Sequence, residues 1–193
     1  MKARALTNTE IESIRDYFAN SVDHFQMRDL ALFELCLNCG LRISEALALN
    51  IHHVVQNGQM VDRLELTATK GGKHRAIPLN NKAKESITAF LEWKEFIGES
   101  LDKDSPLYIS RHGQRLVRSQ AHNRLKAVFA ACGLSGKATT HSLRKFFATQ
   151  LHDRGAHIRE IQELLGHSSV STTQRYIDVT DAKLSAAVAL LDG

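Results

Sequence analysis

Between Ser105 and His152 the sequence contains no aspartate or glutamate, although the chain as a whole carries 21 acidic residues among 193. The same stretch holds Arg111, Arg115, Arg118, Arg124, Lys126, Lys137, Arg144 and Lys145. The overall balance is only +4, so the positive field is a matter of distribution rather than net charge, and it points to a polyanionic partner such as nucleic acid. Other scarcities exclude whole classes. Two prolines and 11 glycines are too few for a collagen-like or linker-rich chain. Three cysteines make a poor disulfide framework and suit a reducing compartment. No apolar run approaches the roughly 20 residues of a membrane helix, and Met1-Lys2-Ala3-Arg4 leads into no signal-peptide core. The expectation is a soluble, cytoplasmic protein with no membrane partner. With 43% hydrophobic residues, the chain can bury one sizeable core.

Hydrophobic spacing predicts a mostly α fold with one small antiparallel β-sheet, an α+β arrangement. Thr7-Asn8-Thr9-Glu10 is a capping-box pattern ahead of Ile11, Ile14 and Phe18. A helix over residues 27–39, apolar on most faces, should stop at Gly40, and a short helix is expected over 42–49. Asn57-Gly58 is a hairpin signal between strands at 51–55 and 60–69, with a bulge near Asp62. A second tight turn at Lys70-Gly71-Gly72-Lys73 leads to a returning strand over 74–79, which Pro78 places at an edge or near its end. Further helices are expected over 81–96, 119–132, 140–154, 157–165, 171–176 and 181–191. Gly133, Gly155 and Gly166 stand where three of them should stop.

Chemically capable side chains gather around these elements. His141-Ser142-Leu143-Arg144 sets a histidine and an arginine at i, i+3, on one helix face. Gly166-His167 falls at a helix junction, Tyr176 follows it, Arg42 stands at a helix start, and Lys70 on a turn. Singly, each has an ordinary structural reading as a surface charge, a cap or the edge of the core. Jointly they make a phosphoryl-transfer set. Arginine forks clamp non-bridging phosphate oxygens, histidine moves a proton, tyrosine attacks to form a covalent intermediate, and lysine protonates a departing alkoxide.

Five words carry a more specific likeness: Gly40-Leu41-Arg42-Ile43-Ser44-Glu45, Thr69-Lys70-Gly71-Gly72-Lys73-His74-Arg75, His141-Ser142-Leu143-Arg144, Leu164-Leu165-Gly166-His167-Ser168 and Ser171-Thr172-Thr173-Gln174-Arg175-Tyr176. In this order, covering most of the chain, they resemble the tyrosine recombinase family of phage integrases and site-specific recombinases. The resemblance implies a catalytic domain that recombines DNA through a covalent 3′-phosphotyrosyl intermediate. It implies that Arg42 and Arg144 hold the scissile phosphate and that Lys70 acts as general acid towards the 5′-oxygen, with Lys73 its rival. His141 would assist proton transfer, His167 would hydrogen-bond the phosphate, and Tyr176 would be the nucleophile. Glu45 would support them by orienting an arginine or histidine. Lys73, Arg75, Arg111, Arg115, Arg118, Arg124, Lys126 and Lys145 are expected to meet DNA, of which phosphate contacts fix position without reading sequence.

The resemblance further implies double-stranded DNA as partner, a homotetramer on paired sites that can be a monomer when DNA-free, and work at the nucleoid. No cofactor, metal or ATP is expected, because the covalent intermediate keeps the bond energy. The expected organisation is one catalytic domain over 1–193, with its core at about 5–178. Leu6-Thr7-Asn8-Thr9-Glu10-Ile11 looks like the opening of that domain, so the family's N-terminal core-binding domain would be absent, through excision or in a naturally short recombinase. Leu184, Val188 and Leu191 give 181–191 an apolar stripe, which would pack on its own domain or dock into a neighbouring subunit, as in the family. Two other readings stand beside this one: a DNA-binding regulator on the same fold, and a nicking-closing enzyme like type IB topoisomerases. Cys36-Leu37-Asn38-Cys39 reads as small core residues rather than a metal site, and His52-His53 lacks a third ligand. Lys70-Gly71-Gly72-Lys73 is not a phosphate-binding P-loop.

Overall fold

Helix α2, Gln26–Cys39, is the axle of the molecule, and the other helices are arranged on it. In this computed structural model, which describes residues 3–66, 74–134, 138–174, 176, 185 and 188–189, α2 buries Leu32, Phe33, Leu35, Cys36 and Cys39. Each large apolar side chain so buried contributes about 2 kcal/mol. Before it runs α1, Asn8–Asn20, opened by the expected capping box: Glu10 N–H donates to Thr7 Oγ1, and Thr7 N–H donates to Glu10 Oε2. After α2 come α3, Ile43–Leu47, then α4, Asn81–Phe96, α5, Arg118–Ala131, and α6, Thr140–Asp153. Two short helices follow, α7, Ile158–Leu165, and α8, Val170–Gln174. Helices α1, α3, α4, α5 and α6 all touch α2.

The single sheet expected from the sequence is instead two separate two-stranded antiparallel ladders. Strands β1, Val55–Gln56, and β2, Gln59–Met60, flank the Asn57-Gly58 turn, where both residues take positive φ as that hairpin requires. Strands β3, Arg63–Leu66, and β4, Arg75–Pro78, pair from Arg63 opposite Pro78 to Leu66 opposite Arg75. The break falls at Val61 and Asp62, where the sequence suggests a bulge. Val61 N–H still reaches back to Val54 O, but Asp62 O already accepts from Leu79 N–H, so the chain changes partner there. Residues 51–53 form a 3-10 turn rather than strand. His53 Nδ1 accepts from Asn50 N–H at 3.0 Å and Val54 N–H closes on Ile51 O, which curls the segment.

Cys36 and Cys39 are core residues; burial pushes both thiols up, Cys39 to about 12, which keeps them protonated and unreactive. Among the described residues, no helix is long and apolar enough to cross a membrane. Of the expected 181–191 helix, only residues 185 and 188–189 are described; Leu184 and Leu191 lie outside the described residues.

Candidate active site

The site grows from a helix end. Gly40 terminates α2 in the left-handed region at φ +60°, which only glycine adopts without strain, and a Cβ there would run into the Phe147 ring of α6. That turn brings Arg42 to the mouth of α3 and puts Glu45 at its third helical position. From there the Glu45 carboxylate reaches back to Arg42 N–H at 2.7 Å and to Arg42 Nη1 at 2.7 Å. Glu45 is almost fully buried, and two further guanidiniums close on it: Arg75 Nη2 at 2.8 Å and Arg144 Nη1 at 3.9 Å.

Arg144 comes from the opposite side, on α6, which starts at the Thr139 cap and exposes His141 in its first turn. Its Nη1 donates to Gly40 O at 2.5 Å and its Nη2 donates to Leu165 O, so it bridges the ends of α2 and α7. Helix α7 ends at Gly166, again left-handed at φ +61°, and His167 is the next residue. Gln162 grips that turn at both ends: His167 N–H donates to Gln162 O at 3.1 Å, and Gln162 Nε2 donates to His167 O at 2.9 Å. His167 Nδ1 lies 2.9 Å from Thr173 Oγ1 of α8. Tyr176 then sets its ring edge-on to the His167 imidazole at 5.5 Å, with Lys145 Nζ 5.6 Å over the same ring. The Tyr176 backbone is pinned by its N–H on Thr173 O at 2.9 Å and by Thr149 Oγ1 donating to its carbonyl at 3.0 Å.

Among the described residues, three arginines against one carboxylate leave the corner with two uncompensated positive charges. Burial raises the Glu45 pKa, but the Arg42 N–H and the Arg75, Arg42 and Arg144 guanidiniums outweigh it and hold the carboxyl below its ordinary value. Burial, reinforced by Arg42, lowers Arg144 to about 10, which still leaves it charged at neutral pH. Burial first, and then Arg144, Arg42 and Arg75, push His167 down to about 4, against the opposing pull of Glu45. His141 is lowered by partial burial and by Arg118, Arg144, Arg42 and His122. Both imidazoles are therefore biased towards the neutral form beside a strongly cationic pocket, an arrangement suited to holding an oxyanion and moving one proton.

The sign of the His167 shift gives a measurable pH dependence. With the folded pKa near 4 and an ordinary value of 6.5, the unfolded chain binds the extra proton first. This contribution to stability is present above about 6.5 and is lost as pH falls towards 4. His167→Asn removes the titrating group, so its stability relative to the parent chain should improve steadily across that window in urea melts. A constant difference between the two curves would refute the assignment.

Of the residues expected from the sequence, the structure gathers Arg42, Glu45, Arg144, His167 and Tyr176, with His141 one helical turn before Arg144 on α6. Lys70 and Lys73 lie outside the described residues. The residues expected to meet DNA divide. Arg111, Arg118 and Lys126 are exposed, and Lys145 is half-buried against Tyr176. Arg115 and Arg124 are instead bound to partners within the fold. Arg115 donates to Leu47 O at 2.7 Å, Leu49 O at 3.0 Å and Asn50 Oδ1, and so braces the loop before α5. Arg124 pairs with Asp29 at 2.7 Å and Asp23 at 2.8 Å. Those forks are occupied by acceptors of the fold itself. Arg75 likewise turns into the Glu45 corner. The sequence held no signal for Arg124, because the buried Asp29 already has Arg28 beside it in the chain, paired at 2.7 Å. His122, which lies close enough to act on His141, had no signal in the sequence either.

Comparison with known proteins places the chain in a family. The model of the Phage integrase family matches residues 4–183. Tyrosine recombinase XerC of Rhodospirillum centenum is 41% identical over 153 residues, covering 79% of this chain and 43% of the relative. Tyrosine recombinase XerD of Oceanobacillus iheyensis is 32% identical over 180 residues, covering 93% of this chain and 59% of the relative. The chain thus spans about half the length of the curated relatives it matches. Among solved structures, XerA recombinase superposes with a TM-score of 0.78 at 23% identity, over 100% of this chain and 67% of that one. XerH site-specific recombinase, in a post-cleavage complex with palindromic difH substrate, gives 0.78 at 24% identity, over 98% of this chain and 53% of that one. At such identities the likeness is one of fold.

Proposed function

The chain belongs to the Phage integrase family, and from that premise we propose that it is the catalytic domain of a site-specific DNA recombinase working through a 3′-phosphotyrosyl intermediate. The observation that carries this reading is the Arg42–Glu45–Arg144 corner, positive in excess, with Tyr176 set edge-on to His167 beside it. A backbone phosphate supplies the missing negative charge. Arg42, whose side chain is 38% exposed, meets it from the open side, and the buried Arg144 from beneath.

Tyr176 Oη attacks the phosphorus: the Oη–P bond forms as the bond from phosphorus to the 5′-oxygen breaks. The phenol proton leaves through His141. Lys70, between β3 and β4 in the chain, returns a proton to the departing 5′-oxygen, so a 5′-hydroxyl is released. With Thr173 Oγ1 donating to His167 Nδ1, the neutral imidazole keeps Nε2–H to donate to a phosphate oxygen. Attack by a 5′-hydroxyl on the phosphotyrosine reverses the step and reseals the strand, with no external energy source. Exposed Arg111, Arg118 and Lys126, with Lys145, steer the duplex backbone. Four copies on two paired sites, linked through 181–191, would exchange strands, and the place of work is the cytoplasm, on chromosomal DNA.

Selection from random sequence tests this without a defined target site. The full chain is incubated with nicked duplexes of randomised sequence, quenched in detergent, and protein-linked strands are recovered and sequenced. The expected result is a set of strands joined at their 3′ ends to the Tyr176 peptide, converging on one sequence. Binding without any linked strand would overturn the reading in favour of a DNA-binding regulator. Linked strands with relaxation of supercoils by a monomer, and no joints between duplexes, would favour a topoisomerase-like activity.

A further inference from the structure

Arg75 stands on β4, shortly after Lys70 in the chain, and its side chain crosses to the far end of the site. It is only 13% exposed. Its Nη2 donates to Glu45 Oε2 at 2.8 Å and its Nη1 donates to Leu165 O at 2.6 Å, the same carbonyl that accepts from Arg144 Nη2. Among the described residues, its Nε is buried with no hydrogen-bond partner. The next residue after Leu165 is Gly166, and a Cβ on it would run into Arg75 Nη1, with Arg75 Cδ only 3.0 Å away. The guanidinium therefore packs directly against the glycine turn that delivers His167, Nη1 foremost. One side chain ties together β4, the start of α3 and the end of α7.

We propose that Arg75 is a positioning residue: it clamps the Leu165–Gly166–His167 turn to Glu45, so that His167 and Arg144 face the same phosphate and the strand following Lys70 stays in place. This rests on the transesterification reading above. The fork is what the position demands. A guanidinium holds acceptors on two different elements at once, whereas an ammonium on a flexible stem is a single point charge and cannot keep both in fixed relation. Both terminal nitrogens are committed to internal acceptors on different elements, Glu45 and Leu165 O, which is the work of a clamp. Gly166 and Arg75 account for one another: the missing Cβ makes room for the fork, and the fork fixes the turn.

Arg75→Lys and Arg75→Met are compared with the parent full chain and with Lys126→Met, an exposed basic change. Three quantities are read: affinity for the duplex recovered in the adduct selection as a function of salt, single-turnover adduct formation, and the His167 imidazole titration by NMR in the DNA-free protein. The charges facing that imidazole are Arg144, Arg42, Arg75 and Glu45. Both Arg75 variants should bind with parental affinity and salt slope, yet form adduct about 10²-fold more slowly, the usual cost of a misplacement near 1 Å. In both, His167 should titrate above its parental value, because a turn released from Glu45 admits water. Lys126→Met, which removes an expected phosphate contact, should instead lose affinity and salt slope. Parental cleavage by Arg75→Lys, a reduced salt slope, or an unmoved His167 titration would each overturn the inference. If Arg75→Met fails to fold, Arg75→Lys carries the test alone. A parent chain that binds DNA but makes no adduct overturns the transesterification reading, and Arg75's role falls with it.

Discussion

Tyr176→Phe should bind duplex DNA as well as the parent chain and form no covalent adduct above background, a loss of roughly 10⁴-fold or more of the kind seen when a nucleophile is removed. The substitution deletes one oxygen and keeps the ring. The contacts that seat that ring, the His167 imidazole edge at 5.5 Å and Lys145 Nζ at 5.6 Å, do not involve the hydroxyl. The backbone bonds from Tyr176 N–H to Thr173 O and from Thr149 Oγ1 to Tyr176 O survive as well. Stability should therefore change by well under about 1 kcal/mol, as for a substitution that opens no cavity and strands no buried partner. Loss of the adduct with an unchanged melting curve and unchanged affinity assigns the nucleophile. Residual adduct in the variant would place the covalent bond on another side chain, and the remaining nucleophiles near the site would then have to be mapped by mass spectrometry of the linked peptide.

What the sequence conveyed about this site follows a physical divide between local and non-local information. Helix starts and stops were legible because their signals are short: the Thr7–Glu10 box, the glycines at 40 and 166, and the Asn57-Gly58 turn all appear where spacing placed them. The His141/Arg144 pair was legible for the same reason, since i, i+3 on a helix fixes a shared face. What the sequence did not convey is which guanidiniums are bound to partners within the fold. Arg75, Arg115 and Arg124 look like any basic residues in a stretch of chain. Each is committed by an acceptor that lies far away in sequence: Leu165 O for Arg75, Leu47 O for Arg115 and Asp29 for Arg124. The departure from strand at 51–54 has a related cause. Apolar Ile51, Val54 and Val55 suit a strand, but the backbone N–H of Asn50 finds an acceptor in the His53 ring, and that side-chain bond favours a turn.

Glu45→Gln should be the most destabilising of the polar substitutions at the site. The carboxylate is 4% exposed and, among the described residues, is the one negative charge paired with all of Arg42, Arg75 and Arg144. Glutamine preserves shape and offers one acceptor oxygen in place of two, but it leaves the cations without compensation. Removing one partner of a buried ionic cluster costs about 3–5 kcal/mol. For a domain of this size that is on the order of 10 °C in melting temperature. The lost term has a definite pH signature. Because the folded-state pKa of Glu45 lies below its ordinary 4.5, the parent gains this stability above that value and loses it as pH falls through the folded pKa. The glutamine variant has nothing to titrate, so the difference between the two proteins should be full at neutral pH and shrink in acid. Glu45 is also the charge that favours protonation of His167, so the imidazole should titrate lower still in the variant. An added anion separates electrostatics from shape: sulfate or phosphate should restore part of the lost melting temperature in the variant and do less for the parent, since binding to the native state adds stability with ligand concentration. A loss that sulfate leaves untouched would mean that Glu45 matters for packing and for its bond to the Arg42 N–H, and not as the counter-charge that keeps Arg42 and Arg144 poised for a phosphate.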